Sequence, residues 1–160
     1  NLCMGRMLER APSAQPLGTA ELRSHRLCFH KRGRDGSGKA DAYFTGCRGD
    51  SLWGIVFRMN TRDARALDRY EGEGSHYYRV RRRVCARDGG GWDVWLYRAR
   101  AERIVDGLEP FEWYKKLLVE GARAGGLPLR YIRTVAAVTS RVDPDRGRAL
   151  RELRALNRSV

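Results

Sequence analysis

Long apolar runs are missing from this 160-residue chain. None approaches the ~18 residues that a membrane-spanning helix needs. No basic-then-apolar leader is visible either, so we expect a protein with no membrane partner. Histidine and cysteine are scarce, three and four residues. Cys3, Cys28, Cys47 and Cys85 form no C-x-x-C pair and no metal-ligand spacing with His25, His30 or His76. This excludes a zinc module, and the expectation is reduced thiols in a cytoplasmic protein with no cofactor and no metal. Acids are outnumbered, 19 against 32 basic residues, for a net charge of +13. Such a balance favours anionic partners. Lysine, however, supplies only four of those bases, and the arginines are scattered, with RVRRR at 79–83 the single dense block. An arginine-biased solvated surface explains this better than a nucleic-acid site, and no specific nucleic-acid partner is expected.

What is present suits one domain: 42% hydrophobic and 32% charged residues over a length that can bury a single core. Residues 18–32 read as a strand and 33–41 as a glycine-rich turn. SLWGIVFRM at 51–59 is a second strand, rich in β-formers. Asn60 or Thr61 can cap a helix with Ala64, Leu67 and Tyr70 on its apolar face, ended by Gly72 in a left-handed conformation. Strands at about 77–87 and 92–101 flank Asp88-Gly89-Gly90-Gly91, a hairpin signal. The clearest helix runs from Pro110 to Gly125, a second starts at Pro128, and a polar third spans about 144–157. Strands first and helices after predict an α+β fold, a small, mixed, mostly antiparallel open β-barrel with flanking helices.

Two stretches carry candidate chemistry. Gly33-Arg34-Asp35-Gly36-Ser37-Gly38-Lys39-Ala40 nearly matches a phosphate-binding loop, but Ala40 stands where a Mg²⁺-binding hydroxyl is needed and no helix follows. A basic turn is the better reading, although Lys31, Arg32, Arg34 and Lys39 could border a pocket for an anionic substrate. Glu71 is the stronger candidate. A carboxylate in the last turn of a helix meets the negative end of the macrodipole, so it costs stability unless a partner compensates. Acids kept in such positions are candidates for general acid/base work. A surface Glu paired with one of many arginines is the alternative, and Glu73 is a nearby competitor. In YYRVRRRV, Tyr78 shares a face with Val80 and Val84 and is expected to point inward, with Tyr77 on the other face. Arg82 falls on that inward face too, which a bulge or an acid such as Glu71 could explain. Tyr114 sits on the buried face of its helix and needs a partner for its hydroxyl.

Taken together, Asn1-Leu2, Arg6-Met7, Pro12-Ser13-Ala14, FHKRGRDGSGKAD, Trp53-Gly54, Ala66 to Gly72, the Tyr78 strand, Tyr114, Glu120-Gly121-Ala122 and Gly126-Leu127-Pro128 resemble the γ-glutamylcyclotransferase family. The similarity runs from residue 1 to about 135. It implies a small barrel with flanking helices and release of 5-oxoproline from γ-glutamyl compounds. It further implies Glu71 as catalytic residue, cavity-lining roles for Tyr78 and Tyr114, and a substrate loop ending in Asn1 and Leu2, whose preceding Tyr-Gly-Ser is expected upstream of residue 1. The partner implied is a small γ-glutamyl molecule, bound by a monomer or homodimer. The alternatives are removal of a γ-glutamyl protecting group from a biosynthetic intermediate, or a non-catalytic basic barrel holding an anionic partner.

Overall fold

The stretch that reads as one strand, residues 18–32, folds as two in the computed structural model, which describes residues 2–158. Strand β1 (Gln15–Arg23) ends at Ser24, whose φ of 58° reverses the chain, and β2 (His25–Arg32) begins. The glycine-rich turn is shorter than expected, because β3 (Gly38–Phe44) starts inside it. Next come β4 (Ser51–Arg58) and helix α2 (Thr61–Glu71), then the hairpin strands β5 (Tyr77–Ala86) and β6 (Gly91–Ala99). Helices α3 (Glu112–Ala124), α4 (Leu129–Ala136) and α5 (Arg146–Leu153) follow, the last running into a 3-10 turn at Arg154–Arg158. Before the first strand stands a helix that sequence patterning did not suggest, α1 (Met4–Arg10).

Four strands form an antiparallel sheet in the order β4-β1-β5-β6, and β2-β3 is a separate antiparallel pair. The hairpin β2-β3 lies against both edges of the sheet without extending its ladder. Asp41 on β3 accepts the Ala99 N–H of β6 at 2.7 Å, and the His30 carbonyl of β2 accepts the Val105 N–H at 2.8 Å. The barrel is therefore open, as the α+β reading expects.

Its interior holds Ala20, Leu22, Val84, Trp92, Val94 and Leu96, with Ala42, Leu52 and Val56. The opposite face of β4 is also covered. Trp53 and Ile55 pack under α3 and α4 with Leu118, Val119, Ile132 and Val135, while Phe57 meets Met7 and Leu67 of α1 and α2. Cover on both faces explains why β4 is an apolar run rather than an alternating one. No described helix is long and apolar enough to cross a membrane, and all four cysteines are free thiols.

Candidate functional site

Helix α2 is built to place Glu71. Asn60 accepts the Asp63 N–H at 2.8 Å and starts the helix. At the other end Gly72 adopts φ 67°, ψ 48°, and its N–H returns to the Arg69 carbonyl. A Cβ on Gly72 would stand 2.7 Å from the His76 ring, so a larger residue would have to displace that side chain as well as adopt a left-handed conformation. Asp68, one turn before Glu71, is fully engaged: Arg79 donates to both its oxygens at 2.8 and 3.1 Å, and the Tyr97 hydroxyl donates at 2.6 Å. These bonds clamp the end of α2 to β5 and β6. Burial, followed by the bond to Asp68, pushes the Tyr97 hydroxyl up, so it stays a donor.

Glu71 is the acid left over from that clamp. The compensation that its position demands is Arg10, whose Nη1 donates to Glu71 Oε1 at 3.2 Å. Arg10 is itself fixed by α1. Its guanidinium stacks 3.8 Å from the centre of the Tyr70 ring and donates to the Tyr70 hydroxyl at 3.0 Å. The competitor Glu73 is exposed in the following turn. The structure therefore separates the two acids by environment: one is sheltered and paired, the other is in solvent.

Tyr78 corrects the expectation drawn from strand alternation. It shares its face with Val80 and Val84, as read, but it lies beyond the end of the barrel interior and is 36% exposed. Tyr77, on the other face, is the buried one at 8%. The cover on that face comes from α2 and the β2-β3 hairpin, which alternation within β5 cannot reveal. Arg82 needs neither a bulge nor Glu71: β5 pairs with β6 without interruption, and Arg82 Nη1 donates to the Arg81 carbonyl at 2.9 Å.

Tyr77 and Tyr114 converge on one residue. Opposite Ala40, β2 carries an extra residue between Cys28 and Lys31, a bulge that leaves Ala40 out of the ladder. The Ala40 N–H donates to the Tyr114 hydroxyl at 3.3 Å, and the Tyr77 hydroxyl donates to the Ala40 carbonyl at 3.1 Å. Burial pushes both hydroxyls up, and Glu71 lies within electrostatic reach of each. The Tyr77 N–H also bonds to the Gly72 carbonyl, so the tyrosine pair at Ala40 stands beside the end of α2, and Lys31 adds an ammonium 4.8 Å from the centre of the Tyr77 ring.

The glycine-rich turn is a self-contained structural unit. Ser37 is fully buried and donates its hydroxyl to Asp35, whose other oxygen takes Lys39 Nζ at 2.8 Å. Burial would raise Asp35, but Lys39 and Ser37 outweigh it and hold the carboxyl below its usual range. The Lys39 ammonium sits 4.8 Å from the ring centres of both Trp113 and Tyr114. A Cβ on Gly38 would fall 2.1 Å from the Phe29 carbonyl oxygen. Nothing in it resembles a phosphate cradle.

Of the two remaining site residues, Asn1 lies outside the described residues. Leu2 is 8% exposed and joins Phe29, Leu118 and Ala122 in the core, so only its backbone can face a ligand. Gly121 makes room for that backbone: a Cβ there would lie 2.4 Å from the Leu2 carbonyl oxygen. A surface groove of about 540 Å³ runs along Arg6, Glu9, Arg10, Tyr70, Arg151 and Glu152, but its walls omit Glu71, Tyr77 and Tyr114. Among the described residues no cluster of His, Cys, Asp and Glu is arranged to hold a metal.

Sequence reasoning missed Arg10 and Tyr77. No local pattern marks either, since each acquires its role from an element distant in sequence.

Comparison with known proteins gives a consistent result. The profile of the AIG2-like family matches residues 51–135. The γ-glutamylcyclotransferase of Homo sapiens is 30% identical over 146 residues, covering 86% of this chain and 74% of that protein. The protein of the same name from Bos taurus is 28% identical over 144 residues, with the same coverage of 86% and 74%. Among solved structures, an uncharacterised human protein superimposes with a TM-score of 0.79 at 28% identity, over 88% of this chain and 83% of that one. A γ-glutamyl cyclotransferase superimposes with a TM-score of 0.81 at 24% identity, over 95% and 94% of the two chains, a likeness of fold.

Proposed function

Because the chain belongs to the AIG2-like, γ-glutamylcyclotransferase family, we propose that it releases 5-oxoproline from a γ-glutamyl amino acid or amine, with Glu71 as general acid/base. The observation that supports this reading is the sheltered acid at the end of α2, held by Arg10 at 3.2 Å, next to the strand end whose Tyr77 bonds to the Gly72 carbonyl.

The substrate supplies both reacting groups. Its α-amine can reach its own side-chain carbonyl and close a five-membered ring, so the task of the protein is to hold a near-attack geometry. The neutral amine nitrogen bonds to the γ-carbon, and the Glu71 carboxylate takes the proton it sheds. As the tetrahedral centre collapses, the bond to the leaving nitrogen breaks and Glu71 returns the proton to it, so Glu71 ends as it began. Arg10 keeps the carboxylate aimed through both halves. Tyr114 and the backbone at Leu2 line the site, and the segment at Asn1-Leu2 would supply donors for the oxyanion. Tyr77 replaces Tyr78 as the tyrosine closest to the chemistry.

The test is to follow 5-oxoproline from a panel of γ-glutamyl dipeptides and amines. Glu71→Gln keeps an oxygen for Arg10 and removes only the proton acceptor, so turnover should fall on the order of 10³-fold with an unchanged melting curve. Activity retained by that variant would remove Glu71 from the mechanism. Steep salt-dependent binding to polyanions without turnover would instead favour the non-catalytic basic barrel.

A further inference from the structure

Lys31 is 6% exposed, yet among the described residues no oxygen accepts a hydrogen bond from its ammonium. The ammonium stands over the Tyr77 ring, 4.8 Å from its centre. A buried ammonium is costly unless paired, and its usual remedy is a carboxylate. The ammonium is not sealed off, either. Among the described residues the buried side-chain nitrogens without a hydrogen-bond partner are His25 Nε2, His76 Nδ1 and Arg98 Nε, and Lys31 Nζ is not among them. Its Nζ is therefore not fully sealed from solvent, although the residue as a whole is buried.

The fold goes out of its way to present it. The bulge between Cys28 and Lys31 re-aims β2, and Lys31 is pinned on both sides of its backbone, by Lys39 across the hairpin and by a bridge to Ile104. Glu71 acts on the Lys31 ammonium favourably, and Lys39, Arg103 and Arg34 act against it. Such a field suits a ligand that brings one more negative charge to the side of Glu71.

We infer that Lys31 recognises the α-carboxylate of the substrate's γ-glutamyl group. The inference rests on the activity proposed above and follows from the chemistry of that group. Amine and carboxylate hang on the same carbon, so a site that puts the amine on Glu71 must put the carboxylate within a few ångströms of it. Lys31 is the buried cation on this side without an oxygen partner among the described residues, while Arg34 and Arg103 are exposed to solvent. Arg10 is already committed to Glu71 and Tyr70, and Lys39 to Asp35. Asp35 and Glu71 cannot serve a carboxylate, and the tyrosine hydroxyls are tied to Ala40. Lys31 thereby sets specificity for a free α-carboxylate and fixes the amine for attack.

The experiment uses Glu71→Gln, in which bound substrate persists, and calorimetry with two ligands: γ-glutamylalanine, and its analogue carrying a carboxamide in place of the glutamyl α-carboxylate. Adding Lys31→Met should weaken γ-glutamylalanine on the order of 100-fold and the carboxamide less than about threefold. Lys31→Arg should restore part of the loss, which a merely structural role for Lys31 would not produce. Equal losses for both ligands, or none for either, would overturn the inference. Release of 5-oxoproline by the unaltered protein is followed alongside. Turnover without the Lys31-dependent discrimination sinks the inference and spares the activity. Discrimination without turnover from any member of the panel sinks the activity and leaves Lys31 as a carboxylate receptor.

Discussion

Asp143 and Lys31 are buried to almost the same degree, 4% and 6% exposed, and the molecule treats them in opposite ways. Asp143 is saturated. The Trp113 indole N–H donates to it at 2.7 Å, the Asp145 N–H at 2.9 Å, and Arg148 grips both oxygens, through Nε at 2.7 Å and through Nη2. These bonds tie α3 to the start of α5. Lys31 has an aromatic ring and no acceptor among the described residues. A saturated buried charge is spent on architecture, whereas an unsaturated one has its capacity in reserve for something that arrives.

The comparison breaks hardest at Asp143. Asp143→Ala strands the Trp113 N–H and the Arg148 guanidinium together, and should cost about 3 kcal/mol in urea unfolding while turnover per folded molecule holds. Acid supplies the graded version. The bond from Arg148, outweighing the opposing effect of burial, holds the Asp143 carboxyl down to about 2 against a usual value of 3.8. The native state therefore binds this proton less readily than the unfolded chain does. The stabilisation is complete above the usual value and disappears as pH falls through about 2. Asp143→Asn should lose that limb of the acid-unfolding curve, and an unchanged limb would mean that Asp143 is not the group responsible.

A smaller effect separates the two neighbouring tyrosines. Tyr77→Phe leaves the Ala40 carbonyl without its donor and should cost about 1 kcal/mol. Tyr78→Phe, at a 36% exposed position, should stay within about 0.5 kcal/mol. Equal costs would restore the inward role that alternation assigns to Tyr78.

How much of this was legible in the sequence depends on the range of the signal. Asn60, Gly72, the hairpin at Asp88–Gly91 and the amphipathic α3 were readable because caps, turns and helical periodicity act over a few residues. The open barrel followed from the order of elements, and Glu71 was readable as an acid at an unfavourable helix end. Its partner Arg10 was not, because α1 is a seven-residue helix whose place is set by packing on α2. The faces of Tyr77 and Tyr78 were read correctly but the buried one was not, for a related reason: alternation orders residues within β5 but does not say which face another element covers. Trp113 was passed over as well. It is 5% exposed, next to Tyr114, and owes its burial to α5 and Asp143. Lys31 was readable only as one of four basic residues near a turn, and it is the bulge in β2 that singles it out.

The smallest expected effect is the most discriminating one. If Lys31 is held in reserve for a ligand, the free protein bears the cost of its burial, and Lys31→Met should be as stable as the unaltered protein or more stable by up to about 1 kcal/mol. Burial lowers the Lys31 ammonium below its usual 10.5, against a smaller raising influence from Glu71. Between the lowered value and 10.5 the unfolded chain binds the proton more readily than the native state. The cost is therefore full at lower pH and is relieved as pH rises toward 10.5. Tyr77 and Tyr114, pushed up by burial, act in the opposite sense above their usual 10.0, where the unfolded chain loses protons that the native state keeps. Both proteins carry those tyrosines, so the difference between their stability curves isolates Lys31: the advantage of Lys31→Met should shrink as pH climbs from 8 toward 10.5. A variant less stable than the unaltered protein across that whole range would show that Lys31 already has its partner, and would put it in the same class as Asp143.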